Sequence, residues 1–271
     1  MPSIPLIFKD KLAHFGEYGI LAFLLARVIF HNPKEIPERY LLLTAIIFAS
    51  LYGVTDEFHQ SFVPGRSVDF FDWLADTIGA IMGAGFFLLI YNWRRPKMLL
   101  HLCCANCGIF AISQLRAKYR LTLFWYNPNI EPKEEYVKRL ADVRKISRIL
   151  KLPLIEGKYE LTAWQTEIKG LTREPEGGKR CLKCLDFRLE KTAKLAKRLG
   201  FKNWGTSLTV GPMKNANVIN ELGRQKSAKC GIVFYEADFK KQDGFKKSVE
   251  MAKSWAFYRQ NYCGCKYSQH K

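Results

Sequence analysis

The sequence lacks the glycine-rich motifs that bind most nucleotide cofactors. Neither a GxGxxG turn nor a GxxxxGK loop followed by Ser or Thr occurs in its 271 residues. Glycines at these spacings let the backbone approach the phosphates of dinucleotides and of ATP. We therefore expect neither an NAD site nor an ATP site.

A cleavable secretory signal is also missing at the start of the sequence. Met1–Pro5 contains no basic residue, and no small-residue cleavage site follows it. Disulfide cross-links need an oxidising compartment, which such a signal would provide. We therefore expect the eight cysteines to serve metal or redox chemistry rather than to form the disulfides of a secreted protein.

Acidic residues are scarce in the second part of the chain. Residues 1–95 contain 8 Lys/Arg and 9 Asp/Glu, which leaves 35 basic and 16 acidic residues in 96–271. The net charge of +18 therefore belongs entirely to the second part. An excess of this size favours a polyanion such as RNA, although solubility alone would tolerate it.

Charge is rare in three apolar segments of the first part, Leu12–Phe30, Tyr40–Thr55 and Phe70–Trp93. A membrane-spanning helix needs about 20 apolar residues, so the first and third are long enough and the second is short. Ile46–Ala49 and Gly83–Ile90 show no polar face. These features favour an all-α membrane domain of about three spanning helices, residues 1–93, over a soluble bundle.

Polar residues inside these segments are costly unless they are paired or functional. Lys11, His14 and Glu17 fall on one helix face, and we favour buried pairs that hold the helices together over a catalytic role. Arg94 and Lys97 closely follow the third segment. Because basic residues accumulate on the cytoplasmic side, we expect the inner or plasma membrane with a cytoplasmic C-terminal domain.

This first part resembles the VanZ-like family of small membrane domains over nearly all of residues 1–93. The matching stretches are Asp10–Phe15, Tyr18, Tyr52–Gln60, Phe62–Ser67, Asp72 and Gly79. The resemblance implies a lipid bilayer as partner and a location rather than a reaction.

Beyond the polar linker Asn92–Lys97, strand-like and helical runs alternate. The predicted strands are Met98–Leu102, Thr122–Tyr126, Leu154–Glu156, Trp204–Leu208 and Ile232–Glu236. The predicted helices are Ile109–Lys118, Glu134–Leu150, Cys181–Leu199, Ala216–Lys229 and Phe245–Phe257. This pattern predicts a Rossmann-like α/β domain over 97–271, a parallel sheet with helices on both faces.

Two helical runs of this domain carry basic faces. Their members are Lys191, Lys194 and Arg198 in one helix, and Lys138, Arg139, Arg144, Lys145, Arg148 and Lys151 in the other. Solvation alone explains such a face in most proteins. With an excess of basic residues in the whole domain, we expect RNA contact instead.

The cysteines form three tight groups. The first strand ends in Cys103, Cys104 and Cys107, and the helical run starting at Cys181 continues with Cys184 one turn later. Adjacent thiolates suit a polynuclear iron–sulfur cluster, and Cys103, Cys104, Cys181 and Cys184 supply the four ligands of a 4Fe–4S cluster. A zinc site remains the alternative. Cys107 stays unassigned, as an extra metal ligand or a buried thiol, and Cys230 is expected to be structural.

In the third group, Cys263–Gly264–Cys265, a single glycine separates the two thiols. Thiols at i and i+2 bond only through a small strained ring, which glycine makes accessible, and strained disulfides are easily reduced. We interpret this pair as redox-active. The alternatives are a metal ligand pair or inert thiols.

Residues of about 97–269 resemble the epoxyqueuosine reductase QueH family. The matching stretches are Leu100–Cys107, Tyr126–Pro132, Glu135–Tyr136, Gly178–Cys184, Arg188–Leu189, Asp238–Lys241, Asp243–Gly244 and Tyr258–Cys265. The sequence departs from the family at Asn106, where proline is usual, and at Gly211, where the family tends to have serine.

This resemblance implies reduction of epoxyqueuosine to queuosine at the wobble position of tRNA. It also implies a 4Fe–4S cluster on Cys103, Cys104, Cys181 and Cys184, a redox-active Cys263–Cys265 pair, and an electron donor. Asp238, Tyr258 and Arg259 are candidates for proton supply or substrate anchoring. Two other hypotheses stay open: a membrane-tethered, zinc-stabilised RNA-binding module, and a membrane protein whose main role lies in the VanZ-like part.

Overall fold

The computed structural model describes the backbone of residues 6–31, 38–64 and 69–269. The chain divides into two compact units, Met1–Arg95 and Pro96–Lys271.

The first unit consists of three long helices in its described residues: α1 (Leu6–His31), α2 (Glu38–Gln60) and α3 (Phe70–Arg94). All three are long and apolar enough to cross a membrane. The second was predicted to be short for a span, and that prediction is wrong. The helix runs to Gln60, beyond the predicted end at Thr55, so its apolar stretch Tyr40–Gln60 has 21 residues.

Helices α1 and α3 pack closely because small residues line their contact. A Cβ atom on Gly79 would overlap the carbonyl oxygen of Phe15, and one on Gly83 would overlap that of Gly19. An ion pair and a hydrogen bond join the same two helices: Lys11 Nζ lies 2.7 Å from Asp72 Oδ1, and His14 Nδ1 lies 3.0 Å from Asp76 Oδ1. Polar pairs of the predicted kind therefore hold these helices together.

The second unit contains a five-stranded sheet in the order β3-β2-β1-β4-β5, in which every neighbouring pair is parallel. The strands are β1 (Lys97–Leu102), β2 (Arg120–Trp125), β3 (Leu154–Glu156), β4 (Asn203–Thr206) and β5 (Val233–Phe234). The helices are α4 (Ala105–Leu115), α5 (Lys133–Leu150), α6 (Leu161–Glu167), α7 (Lys179–Arg198), α8 (Ala216–Cys230) and α9 (Gly244–Ser254).

The side chains of β1 alternate between two hydrophobic cores. Leu100 packs in a core with α4, α5 and α9, whereas Leu99 packs in a second core with α7 and α8. A strand buried on both faces reads as a continuous apolar run, as Met98–Leu102 does. The predicted α/β architecture, with helices on both faces of a parallel sheet, is therefore confirmed.

The element boundaries differ from the prediction where polar groups act locally. Helix α4 begins at Ala105, four residues earlier than predicted, because Cys104 caps it and its Sγ accepts from the Cys107 amide at 3.4 Å. Strand β4 ends at Thr206 instead of Leu208, since Leu208–Val210 forms a 3₁₀ turn. The short helix α6 was not predicted.

Candidate metal–thiol site

A cavity of about 670 Å³ lies at the carboxyl edge of the sheet. Its wall includes Cys103, which follows β1, Asn127, which follows β2, and Leu208, which follows β4. Parallel α/β sheets bind their ligands at this edge. The volume falls in the range that small-molecule sites occupy.

Three thiols meet in the wall of this cavity. One Sγ atom from each of Cys103, Cys104 and Cys107 lies within 4.8 Å of the other two, and those of Cys103 and Cys104 are 3.9 Å apart. Hydrogen bonds from the other two thiols, with help from Ser207, hold the pKa of Cys103 well below its usual range. Its bond to Cys103 raises the pKa of Cys104 to about 12. One thiolate is thus stabilised by two thiols.

The histidine that precedes this trio is structural. His101 lies fully buried in β1, with Nδ1 2.8 Å from Thr206 Oγ1 and Nε2 3.1 Å from the carbonyl oxygen of Tyr126. Burial, assisted by the nearby Arg188 charge, lowers its pKa to about 3. His101 is therefore neutral and ties β1 to its two neighbouring strands.

A buried cation lies beside the trio. Arg188 is 3% exposed and donates to Asn127 Oδ1, but its Nε has no hydrogen-bond partner. It forms no ion pair with any carboxylate of the described chain. A buried charge without compensation is costly. The anionic charge of the Cys103 thiolate, or of a metal–thiolate group, supplies that compensation, so the donor set fits such a group.

Four more thiols surround a second, smaller cavity of about 20 Å³. Cys181 and Cys184 come from the first turns of α7, and Cys263 and Cys265 from the C-terminal segment. Burial raises the pKa of Cys184 and of Cys265. This space holds about one water molecule.

The structure therefore sorts the predicted site residues into two groups. It brings Cys103 and Cys104 together with Cys107, and it places Cys181 and Cys184 with the Cys263–Cys265 pair. Arg188 and Cys263 line both cavities, so the two groups are neighbours. All eight cysteines are free thiols.

The Cys-Gly-Cys segment is held by an arginine and a lysine. Arg139, paired with Glu135 at 2.7 Å, donates to the carbonyl oxygens of Cys263 (3.0 Å) and Tyr262 (3.2 Å). Lys214 Nζ donates to Cys263 Sγ at 3.0 Å. Burial would lower the pKa of Lys214, but the Cys263 sulfur raises it above its usual range. Lys214 therefore stays cationic beside this thiol.

Of the remaining predicted site residues, one lines the large cavity. Arg259 forms part of its wall. The Tyr258 hydroxyl instead donates to Glu135 Oε2 at 2.9 Å, which supports the carboxylate that positions Arg139. The carboxylate of Asp238 accepts from the Lys240 amide at 3.2 Å within a turn. Neither Tyr258 nor Asp238 lines the cavity.

The basic faces predicted for RNA contact are neutralised in part. Arg139 is 3% exposed, and Arg144 pairs with Glu156 at 2.7 Å. Lys191 pairs with Glu160, and Lys194 with Glu190. Sequence spacing marked these positions as two charged faces, but Glu156 and Glu160, the partners of Arg144 and Lys191, come from segments that the spacing does not reveal. Lys214 was missed, because its loop has no periodic pattern.

Comparison with known proteins assigns both units. The family model for epoxyqueuosine reductase QueH matches residues 98–271, and the model for VanZ/LLP1 matches residues 5–91.

The following relatives are each named epoxyqueuosine reductase QueH. The Streptococcus pyogenes protein is 36% identical over 180 residues, covering 64% of this chain and 71% of the relative. The Staphylococcus epidermidis protein is 36% identical over 195 residues, covering 68% of this chain and 82% of the relative. The Thermotoga maritima protein is 36% identical over 174 residues, covering 63% of this chain and 89% of the relative. The chain therefore belongs to the epoxyqueuosine reductase QueH family of enzymes, joined to a VanZ/LLP1 segment whose three apolar helices assign it to a membrane.

Proposed function

We propose that this chain reduces the epoxide of epoxyqueuosine at the wobble position of tRNA and so forms queuosine. Besides the family, one observation carries the proposal: Cys263 lies in the wall of the large cavity and also borders the small cavity with Cys181 and Cys184. A redox thiol at that place lies between a space for substrate and a group of metal-binding side chains.

The proposed cofactor is a 4Fe–4S cluster held by Cys103, Cys104, Cys181 and Cys184. Cysteine thiolates are the usual ligands of such clusters, and the low pKa of Cys103 favours the thiolate form. The buried charge of Arg188, whose Nε has no hydrogen-bond partner, fits an anionic group at this position. When bound, a cluster of this kind supplies electrons one at a time. Cys107 is the candidate ligand for an additional metal ion.

In this proposal, the Cys263–Cys265 pair supplies the two electrons of the reduction. Removing the epoxide oxygen as water consumes two electrons and two protons and leaves a carbon–carbon double bond. Oxidation of the two thiols to a disulfide releases two electrons and two protons. An external electron donor must then reduce the disulfide for the next turnover. The Lys214 ammonium donates to the Cys263 sulfur and places a positive charge beside it.

The large cavity is suited to a nucleotide taken out of the anticodon loop. Single-stranded loops expose bases that an enzyme can draw into a pocket. Asn129, Arg259 and Asn261 offer polar side chains in the cavity wall for substrate orientation. Because tRNA is cytoplasmic, and because Arg94 ends the third apolar helix and Lys97 follows it, the proposed orientation has residues 97–271 in the cytoplasm.

The experiment is anaerobic purification of the full chain in detergent, followed by iron, sulfide and zinc analysis. We expect about four iron and four sulfide per chain. The same chain is then expressed in a strain without epoxyqueuosine reductase, and tRNA nucleosides are quantified. Queuosine should appear with the wild type and with Cys230→Ser, but not with Cys263→Ser. Stoichiometric zinc without iron, or epoxyqueuosine persisting with the wild type, contradicts the proposal.

A further inference from the structure

One edge of the sheet in the second unit carries basic residues and no acidic ones. We call it the basal edge: Lys97, and the segments 113–120, 148–154, 196–203 and 228–233, which lead from a helix end into the next strand. These segments lie side by side, because Lys97 pairs with Arg120 and Met98 with Asn203. The ten basic residues are Lys97, Arg116, Lys118, Arg120, Arg148, Lys151, Lys197, Arg198, Lys202 and Lys229.

These ten side chains are all exposed. Nine of them, Lys97, Lys118, Arg120, Arg148, Lys151, Lys197, Arg198, Lys202 and Lys229, form no ion pair with any residue of the described chain. Elsewhere in the unit, exposed basic residues such as Arg144, Lys191 and Arg224 have carboxylate partners. The basal edge therefore presents a positive potential that the protein itself does not neutralise.

The opposite edge, which holds the large cavity, has a different balance of basic and acidic residues. The five segments that lead from a strand end into the first turn of the next helix contain six basic and eight acidic residues. Basic residues at helix C-termini complement the helix dipole, which accounts for some of the basal ones. The dipole does not account for Lys97, Lys118 or Lys202, which lie outside the helices.

Exposed aliphatic side chains accompany the basal charges. Ile149 is 55% exposed, Leu199 48% and Val233 61%. All three belong to the segments that define the basal edge. Basic residues interleaved with exposed aliphatic groups are typical of surfaces that lie on a membrane interface.

We propose that the basal edge binds the headgroups of anionic phospholipids. The chain enters the second unit at this edge, since β1 begins at Lys97, three residues after α3 ends at Arg94. Basic residues close to a membrane span gain about 1 kcal/mol each from an anionic leaflet. RNA is the other polyanion that such a surface could meet. However, the cavity proposed for the tRNA nucleotide lies at the opposite edge of the sheet.

The test places the full chain in nanodiscs of phosphatidylcholine, either alone or mixed with phosphatidylglycerol, and measures labelling of each lysine by an amine-reactive reagent. With phosphatidylglycerol, Lys97, Lys118 and Lys202 should label about fivefold more slowly, the equivalent of 1 kcal/mol. High salt should abolish the difference, because it screens exposed charges. Lys133 and Lys246, at the cavity edge, should label equally in both discs.

Two variants with equal charge loss sharpen the test. The basal variant carries Lys118→Gln, Lys151→Gln, Lys197→Gln and Lys202→Gln, and the control carries Lys133→Gln, Lys241→Gln, Lys246→Gln and Lys247→Gln. In the basal variant, Lys97 and Lys229 should lose their lipid-dependent protection, whereas the control should keep it. Equal labelling of the basal lysines in both discs overturns the proposal. So does protection of these lysines by added tRNA in neutral discs, which would assign the edge to RNA.

Discussion

The two thiol groups of the second unit differ in access and in the charges beside them. Cys103, Cys104 and Cys107 lie in the wall of a cavity of about 670 Å³ and satisfy one another by hydrogen bonds. Cys181, Cys184, Cys263 and Cys265 surround a space of about 20 Å³. There, Lys214 contacts Cys263 directly.

This difference separates two kinds of thiol chemistry. A cluster of thiols that already shares one negative charge is prepared to bind metal, because ligation requires thiolates. A thiol that is paired with a lysine is instead prepared as a nucleophile or redox group. Cys263 borders both cavities, so it is the thiol of the second group that also lies in the wall shared with the first.

The largest effect is expected for the thiols proposed as cluster ligands. Cys104→Ser should lose iron, cluster absorbance and tRNA reduction together, because serine is a poor substitute for a thiolate ligand. Cys184→Ser should do the same, although the structure places Cys184 in the other group. Iron and sulfide analysis with nucleoside analysis measures both.

Cys107→Ser is the matched control for these ligands. If the cluster uses Cys181 and Cys184, this variant keeps full iron. Loss of the cluster in Cys107→Ser, with retention in Cys184→Ser, would instead assign the ligands to the compact trio.

The next effect concerns the Cys-Gly-Cys pair. Cys263→Ala and Cys265→Ala should each keep the iron content and stop multiple turnover, because the proposed two-electron store is gone. Iron content and nucleoside yield are measured on the same preparation. Loss of iron in either variant would mean that the pair is a metal ligand.

An intermediate effect is expected for Lys214→Met. A charge-assisted hydrogen bond is worth about 1.5–3 kcal/mol, which corresponds to a roughly tenfold to hundredfold loss of activity. Removing the cation leaves the Cys263 sulfur without its hydrogen-bond donor, so the rate of Cys263 alkylation should change. Lys214→Arg keeps the charge and should recover part of both, and Lys241→Met is the exposed control. An unchanged alkylation profile in Lys214→Met contradicts this role.

The fold was largely predictable from the sequence, because it depends on patterns that are local in the chain. The apolar run Met98–Leu102 predicts a strand buried on both faces, and Leu185, Leu189 and Ala193 predict the core face of α7. The three apolar helices follow from length and composition alone. Boundaries were less predictable where one side chain decides them, as the Cys104 cap does for α4.

The site was only partly predictable, because its contacts join distant segments. Clustered cysteines reveal that thiol chemistry is present, but spacing does not show that Cys107 joins Cys103 while Cys184 lies with Cys263. Lys214 and Arg188 carry no local signal, since a single basic residue in a loop or helix is ordinary. Their roles come from burial beside thiols.

The smallest effect is expected for Tyr258→Phe, which tests how the Cys-Gly-Cys segment is held. The Tyr258 hydroxyl donates to Glu135, and Glu135 pairs with Arg139, which binds the carbonyl oxygen of Cys263. Tyr258 is 40% exposed, so water replaces part of the lost hydrogen bond, the cost is about 1 kcal/mol, and activity should fall about fivefold. Because Tyr258 acts through position, the alkylation rate of Cys263 should change as well, while iron content stays constant. Asp238→Asn, which alters a turn outside the cavity wall, should stay within about twofold of the wild type. A larger loss in Asp238→Asn than in Tyr258→Phe would contradict this ranking and give Asp238 a role in the reaction.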